Sequence, residues 1–387
     1  MLRSNGLWTA EKITGAKEIL KGEGERLLDL MFDTRWPQEM SEWLAAPLKS
    51  AAARGDEGLA RKLVQAGAKV EGVALHEAVR GGHTAIVELL LDNGASVNDK
   101  GSNFDAPLTV AAGCGNTETA RLLLLNGADI DYQDCDNITA LSSAIHRGHI
   151  NMVEALLAAG ADLTVRLTEE LSVLDIATFS KNVGIVQMLV DHGMEVNLAD
   201  SDGRTALHYA ANNNKADAID VLVGAGADIQ ARTMSGSSAL HCAAEGLAPE
   251  ASLALLNLGA EVNAQTESGE TALHSIAAKA GCQGSVEVVD LLLRWGADET
   301  IVSKQGETAA DRIGFRTTLS EVTEDEGLVW DLFWRAPADR AWRRRGLLVL
   351  CRARPDRLQL GDDLAGLVTK IVGLEEVCVF RAIVLYL

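Results

Sequence analysis

Proline and aromatic residues are scarce: 6 Pro among 387 residues, with aromatics at 4%. So little proline in a chain that is 47% hydrophobic excludes a Pro-rich, disordered polymer. So few Phe, Tyr and Trp argue against a β-sandwich and favour closely stacked helices. The six cysteines, Cys114, Cys135, Cys242, Cys282, Cys351 and Cys378, form no Cys-x-x-Cys pair. Reduced thiols in a cytoplasmic or nuclear protein are therefore expected. No stretch approaches the roughly 18 uninterrupted apolar residues of a membrane span. The apolar C-terminus is broken by Glu375, Glu376 and Arg381, and Met1–Leu20 carries Glu11, Lys12 and Lys17 where a secretion signal needs an apolar run. Positive charge is also short, and a formal net charge of −20 disfavours nucleic acid and anionic lipid as partners. One segment runs the other way: residues 335–357 hold eight Arg against Asp339 and Asp356, leaving −26 on the remainder. Docking on that acidic remainder accounts for the Arg cluster better than nucleic acid does.

What is abundant is repetition. Gly67, Gly94, Gly127, Gly160, Gly193, Gly226, Gly259 and Gly296 are spaced by 27, then five times by 33, then by 37. A second marker, Leu48, Leu75, Leu108, Leu141, Leu174, Leu207, Leu240 and Leu273, keeps phase with it, spaced by 27 once and by 33 thereafter. Two markers in phase over eight units mean a stack of supersecondary units in which each buries its apolar face on the next. Thr205-Ala206-Leu207-His208, Ser238-Ala239-Leu240-His241 and Thr271-Ala272-Leu273-His274 resemble the signature of the ankyrin repeat. The resemblance covers about residues 45–316. It implies an all-α solenoid of helix-turn-helix units with short β-hairpin loops, and a non-enzymatic scaffold or adaptor that binds protein.

Residue chemistry supports that layout. Thr or Ser at 139, 172, 205, 238, 271 and 308 is placed to cap the first helix of its unit. Ala at 78, 111, 144, 177, 210 and 243 keeps one face small for stacking. Leu pairs such as Leu122-Leu123 and Leu255-Leu256 supply the second helix's core, and the following Gly ends it in the left-handed conformation. The short spacing falls between Gly67 and Leu75, in a connection, and the four extra residues fall in the turn around Gly281 and Gly284. Three parts are expected: an N-terminal helical lid over 1–44, an array of about eight full repeats and a partial ninth over 45–316, and a C-terminal helical segment over 317–387. The last part, from Ala338-Asp339-Arg340-Ala341-Trp342 onward, resembles a C-terminal extension of algal-type ankyrin proteins.

No phosphate-binding Gly loop, nucleophile elbow or kinase signature is present, so catalytic, cofactor and metal sites are all expected to be absent. Gly224-Ala225-Gly226-Ala227-Asp228 reads as a helix end rather than a nucleotide loop. His146 and His149 lack the carboxylates or cysteines a zinc site needs. His76, His208, His241 and His274 occupy the signature position, where the resemblance implies hydrogen bonds to backbone between units.

The expected partner is a protein, bound by a monomer on the concave face and hairpin tips, as the resemblance implies. The variable first-helix positions are Glu77, Arg80, Val110, Ser143, His146, Ile176, Phe179, Tyr209, Asn212 and Glu245. Phe179 and Tyr209 either anchor a partner or tuck against neighbouring hairpins. At the tips, Gly203, Gly236, Gly269 and Gly306 suit positive φ, while Phe104, Asn137 and Glu170 replace Gly in earlier units. The surface from Phe104 to Tyr209 is accordingly the expected recognition site. A second reading comes from Leu374-Glu375-Glu376-Val377-Cys378-Val379-Phe380-Arg381-Ala382, which resembles the elongin-binding box of some ubiquitin-ligase substrate receptors. Gly373 departs from that box, and no cullin-binding Pro motif follows before Leu387.

Overall fold

The computed structural model describes residues 41–100, 105–167, 171–313, 327–329 and 331–336. Phe104, Glu170, residues 1–40 of the expected N-terminal lid, most of the Arg cluster and the box at 374–382 lie outside the described residues. The described chain is all-α, with isolated antiparallel bridges pairing Arg166 with Ser172 and Val302 with Thr308. It divides into two compact units, Met1–Ile176 and Ala177–Leu387.

The first unit is a run of packed helix pairs: α1 (Ser41–Arg54) with α2 (Glu57–Gln65), α3 (Gly72–Gly81) with α4 (Thr84–Asp92), α5 (Pro107–Cys114) with α6 (Thr117–Leu125), and α7 (Ala140–Arg147) with α8 (Ile150–Ala158). First helices stack on first helices, α1 on α3, α3 on α5 and α5 on α7, and second helices on second helices from α2 to α8. The next first helix, α9 (Val173–Phe179), runs across the division.

The second unit continues with α10 (Val183–Asp191), then pairs α11 (Ala206–Asn212) with α12 (Ala216–Gly224), α13 (Ala239–Glu245) with α14 (Pro249–Asn257), and α15 (Ala272–Ala277) with α16 (Ser285–Arg294). Here α11, α13 and α15 form one layer and α10, α12, α14 and α16 the other. A 3-10 turn, Ala310–Arg312, packs on α15 where the partial ninth repeat was expected. Residues 327–329 and 331–336 are helical, burying Val329, Phe333 and Ala336 while Trp334 stays 84% exposed.

The stacking face is built as the small residues dictate. Ala78, Ala111 and Ala144 in the first unit and Ala210 and Ala243 in the second are fully buried, so neighbouring helices meet with little side chain between them. Leu75, Leu108 and Leu141, with Leu207, Leu240 and Leu273, fill the space behind them and are at most 1% exposed. Emptying one such position costs about 2–5 kcal/mol. Each second helix ends at a glycine with φ between 83° and 95°, from Gly67 to Gly296. The expected length changes fall in connections: α2 ends at Gln65 and α3 starts at Gly72, while the additional residues separate Ala277 from Ser285.

Where the capping residue is missing, the helix start moves. In the second repeat Val73 stands at the Thr position and cannot cap, and α3 begins at Gly72 behind Glu71, which makes no side-chain cap bond. In the first repeat α1 begins at Ser41 and runs through Pro47.

Candidate interaction surface

The tips of the second unit are four successive turns, Asp200–Gly203, Thr233–Gly236, Thr266–Gly269 and Ser303–Gly306. Each closes by the same bond, Gly203 N–H donating to Asp200 O at 3.0 Å and its three counterparts at 2.8–2.9 Å, with Gly φ between 76° and 82°. The first residue of each turn fastens it from inside. Asp200 Oδ1 accepts from the N–H groups of Asp202 and Arg204 at 2.9 and 2.8 Å, and Thr233 Oγ1 accepts from Ser237 N–H at 3.1 Å. Adjacent tips are joined through backbone: Met234 N–H to Asp202 O at 2.8 Å, Glu267 N–H to Ser235 O at 3.0 Å, and Lys304 N–H to Ser268 O at 2.8 Å. The tips therefore form a hydrogen-bonded edge rather than four independent loops, which lowers the ordering entropy a partner must overcome. In the first unit Asn137 takes the glycine's place with φ 57°, and Asp134 Oδ1 accepts from Asp136 and Ile138 N–H at 2.8 Å. Asn is among the few residues that tolerate this conformation.

Behind the tips, signature histidines tie repeats together. Thr205 N–H reaches His208 Nδ1 at 3.1 Å, Ser238 N–H reaches His241 Nδ1 at 3.2 Å, and Thr271 N–H reaches His274 Nδ1 at 3.2 Å. A backbone N–H can only donate, so Nδ1 accepts and the proton sits on Nε2. From there each ring donates to a carbonyl of the next repeat, Ser237 at 3.3 Å, Glu270 at 3.0 Å and Glu307 at 3.2 Å. Burial pushes all three imidazoles below the ordinary histidine value, with the carbonyl bonds opposing it. His76, whose repeat has no capping Thr, lies between the carbonyl oxygens of Gly72 at 2.7 Å and Asp105 at 2.9 Å.

The predicted recognition residues separate by unit. In the first, Glu77 and Arg80 are brought together as an ion pair of 3.0 Å, with Lys49 3.8 Å from the same carboxylate. His146 is exposed in the last turn of α7, and Val110 and Ser143 are half-buried. His149 Nε2 lies 3.2 Å from Gly113 O, so this ring serves the backbone, and among the described residues no group of three metal-binding side chains forms. Burial, followed by the nearby charge of Asp134, raises the carboxyl of Asp105 above the usual range, with His76 and Arg80 opposing.

In the second unit Phe179 and Tyr209 meet edge to face, ring centroids 5.7 Å apart at 63°. Phe179 is 36% exposed and Tyr209 half-buried, with the Tyr209 hydroxyl donating to Asp200 Oδ2 at 2.5 Å. The hydroxyl is thus tucked against a hairpin, and the Tyr209 ring packs on Phe179. Asn212 and Glu245 are exposed. Ile176 is a correction. It shares the helix position of Glu77 and Tyr209 but is only 3% exposed, because an aliphatic side chain has no polar end to hold in water and goes inward. The sequence reading also missed Asp200, whose signal was available as an acid opening a turn that closes with Gly203, and Met234, 71% exposed on its tip. The Gly224–Asp228 stretch is the expected helix end, Ala225 capping α12 and Gly226 at φ 93°.

Models of ankyrin repeats match the chain, a three-copy model over residues 75–167 and 164–233 and a single-repeat model over 268–304. Among 534 matching solved chains is the crystal structure of the human ASB11 ankyrin repeat domain. That domain is 30% identical, with a TM-score of 0.50, over 55% of this chain and 96% of its own. No curated protein matches. Among the described residues no helix is long and apolar enough to cross a membrane.

Proposed function

The chain belongs to the ankyrin-repeat family, and from that membership we propose that it works as a non-enzymatic scaffold or adaptor binding a protein partner on its hairpin tips and first helices. The observation carrying this reading is the Phe179–Tyr209 pair, two rings packed edge to face beside a hydrogen-bonded tip edge, with Phe179 36% exposed. Aromatic groups fixed by their neighbours lose little entropy on binding and anchor interfaces well. Glu77, Arg80, Asn137 and His146 supply the corresponding polar positions in the first unit, with Phe104 and Glu170 added from sequence alone. The formal charge of −20 supports protein rather than nucleic acid as partner. Action as a monomer in cytoplasm or nucleus completes the reading.

The test is partner capture with the full-length chain and with a variant carrying Phe104→Ala, Phe179→Ala and Tyr209→Ala. Capture lost while helical content and melting temperature persist supports the proposal; unchanged capture overturns it. The Leu374–Ala382 box motivates a second reading as a ubiquitin-ligase substrate receptor. An elongin-like protein captured by the full chain and lost on Leu374→Ala with Cys378→Ala would favour it.

A further inference from the structure

We propose that an opened connection between α9 and α10 forms a second binding site, at the far end of the first helices from the tips. Its ligand is an extended peptide segment of a partner that carries an acidic side chain and, further along, a basic one. Six connections between paired helices close alike: Gly55, Gly82, Gly115, Gly148, Asn214 and Leu247 take φ between 54° and 79°. The residue after each donates its N–H to the carbonyl five positions back, as His149 does to Ala144 O at 3.0 Å and Lys215 to Ala210 O at 2.9 Å. Lys181 holds the same position between α9 and α10 without positive φ. Asn182 N–H then turns to Ser180 Oγ at 3.2 Å in place of Ala177 O. The connection stays open, and a cavity of about 310 Å³ lies beside it.

The lining of this cavity sorts by charge along the stack. Lys181 precedes α10, Lys215 and Asp217 stand at the start of α12 and Glu250 at the start of α14, and these three helices pack in that order. One end is therefore cationic and the other anionic. Lys215 Nζ reaches Ser180 O at 3.2 Å, an uncharged partner that takes one of its three protons. Among the described residues neither Lys181 nor Lys215 forms an ion pair, in a chain where carboxylates outnumber cations by 20. Glu250 accepts from Asn214 Nδ2 through Oε2, which leaves Oε1 for a second donor. Beside these charges Val183 is 37% exposed, so the cavity also offers apolar contact. A segment bearing both charges makes charge-assisted hydrogen bonds at both ends, whereas a purely basic one meets Lys181 and a purely acidic one meets the net charge of the chain. Neighbouring helices pack about 8–10 Å apart, so two spacings correspond to about five residues of extended chain.

The experiment uses fluorescein-labelled Ala–Ser peptides carrying one Glu and one Lys at every spacing and in both orders, with Gln in place of either charge as controls. Binding to the full-length chain is read by fluorescence polarisation. A peptide with its charges about four to six residues apart should bind, and either Gln control should bind at least about tenfold more weakly. Lys181→Gly installs the residue that closes the turn at Gly82, Gly115 and Gly148, so Asn182 N–H should regain Ala177 O and binding should be lost. Lys181→Ala removes the ammonium alone and should weaken binding severalfold. Glu250→Gln, which keeps an accepting oxygen for Asn214, should weaken the two-charge peptide and leave the peptide without Lys unchanged. Melting curves and hydrogen exchange of the Asn182 amide, recorded for each variant, tell closure of the turn from loss of fold. No binding at any spacing, or binding that needs only one of the two charges, overturns the proposal. So does binding unaffected by both Lys181→Ala and Glu250→Gln, or binding that persists in Lys181→Gly once the Asn182 amide is protected.

Discussion

The imidazole of His241 donates from Nε2 to the carbonyl oxygen of Glu270, 3.0 Å away and 29 residues further along the chain. His208 and His274 repeat this link, and all three rings are neutral because Nδ1 must accept a backbone N–H. Protonation would break that acceptance inside a buried layer. The charged groups facing the rings are mixed in sign: Arg204 and Asp200 around His208, Arg232 and Glu270 around His241, Arg312, Glu270 and Glu307 around His274. Burial is the largest influence and lowers each folded pKa below the free value near 6.5, so as pH falls past about 6.5 the unfolded chain takes up protons the folded one refuses. Stability from these sites is full above that pH and is lost as pH falls. Melting temperature should therefore drop between pH 7.5 and 5, before the depressed carboxyls of Asp311 and Glu250 begin to titrate, and less in a His241→Ala variant. A flat profile across that window would sink this account.

The hairpin ladder of the first unit is weaker at Asp131 than at Asn98. Asn98 serves two backbone groups of the next repeat, Nδ2 donating to Gly127 O at 3.3 Å and Oδ1 accepting from Asp129 N–H at 2.9 Å. Asn197 and Asn263 do the same in the second unit. At the equivalent Asp131 the carboxylate accepts Asp162 N–H at 2.8 Å but has no proton for the carbonyl of Gly160. Asp131→Asn restores a donor there and should stabilise the protein by about 1 kcal/mol. A rise in urea midpoint at constant slope is the expected reading, and the reverse change, Asn197→Asp, should lower it.

Much of this was legible in the sequence because spacing is local information. The 33-residue period placed caps, stacking alanines and helix-ending glycines, and the two length changes fell in connections, where added or missing residues disturb no packed face. The surface was harder. Ile176 was read from its position in the repeat as exposed, yet position fixes only the helix face, and side-chain chemistry decides how far a border residue turns inward. The Asp200–Tyr209 bond joins a turn to a helix nine residues away, a pairing that no periodic pattern encodes.

One turn carries a residue unsuited to it. The connections between paired helices pass through positive φ at Gly82, Gly115 and Gly148 in the first unit, and at Asn214 (φ 56°) and Leu247 (φ 54°) in the second. Leucine in this conformation costs about 1–2 kcal/mol through its Cβ against the following carbonyl. Asn214 shows that asparagine takes the same turn 33 residues earlier, and its Oδ1 accepts from Ala251 N–H at 2.9 Å. Leu247→Asn should accordingly raise stability by about 1 kcal/mol, since Leu247 is only half-buried and loses little packing. Differential scanning calorimetry decides the matter, and a lower melting temperature would mean that packing outweighs strain.

Two glycines allow conformational cost to be separated from close approach. Gly226 (φ 93°) ends α12 with nothing within 4 Å of the place a Cβ would take. Gly236 (φ 79°) closes a tip, and a Cβ there would stand 2.7 Å from the backbone nitrogen of Glu267 in the next tip. Gly226→Ala should cost only the left-handed penalty, about 1–2 kcal/mol. Gly236→Ala should cost more, because the neighbouring tip must also move and its bond from Glu267 N–H to Ser235 O at 3.0 Å is strained or lost. Hydrogen exchange distinguishes the two. The amides of Glu267 and Met234 should lose protection in Gly236→Ala and keep it in Gly226→Ala, whereas equal exchange in both would mean that the tips move independently and that the edge offered to a partner is not a joined one.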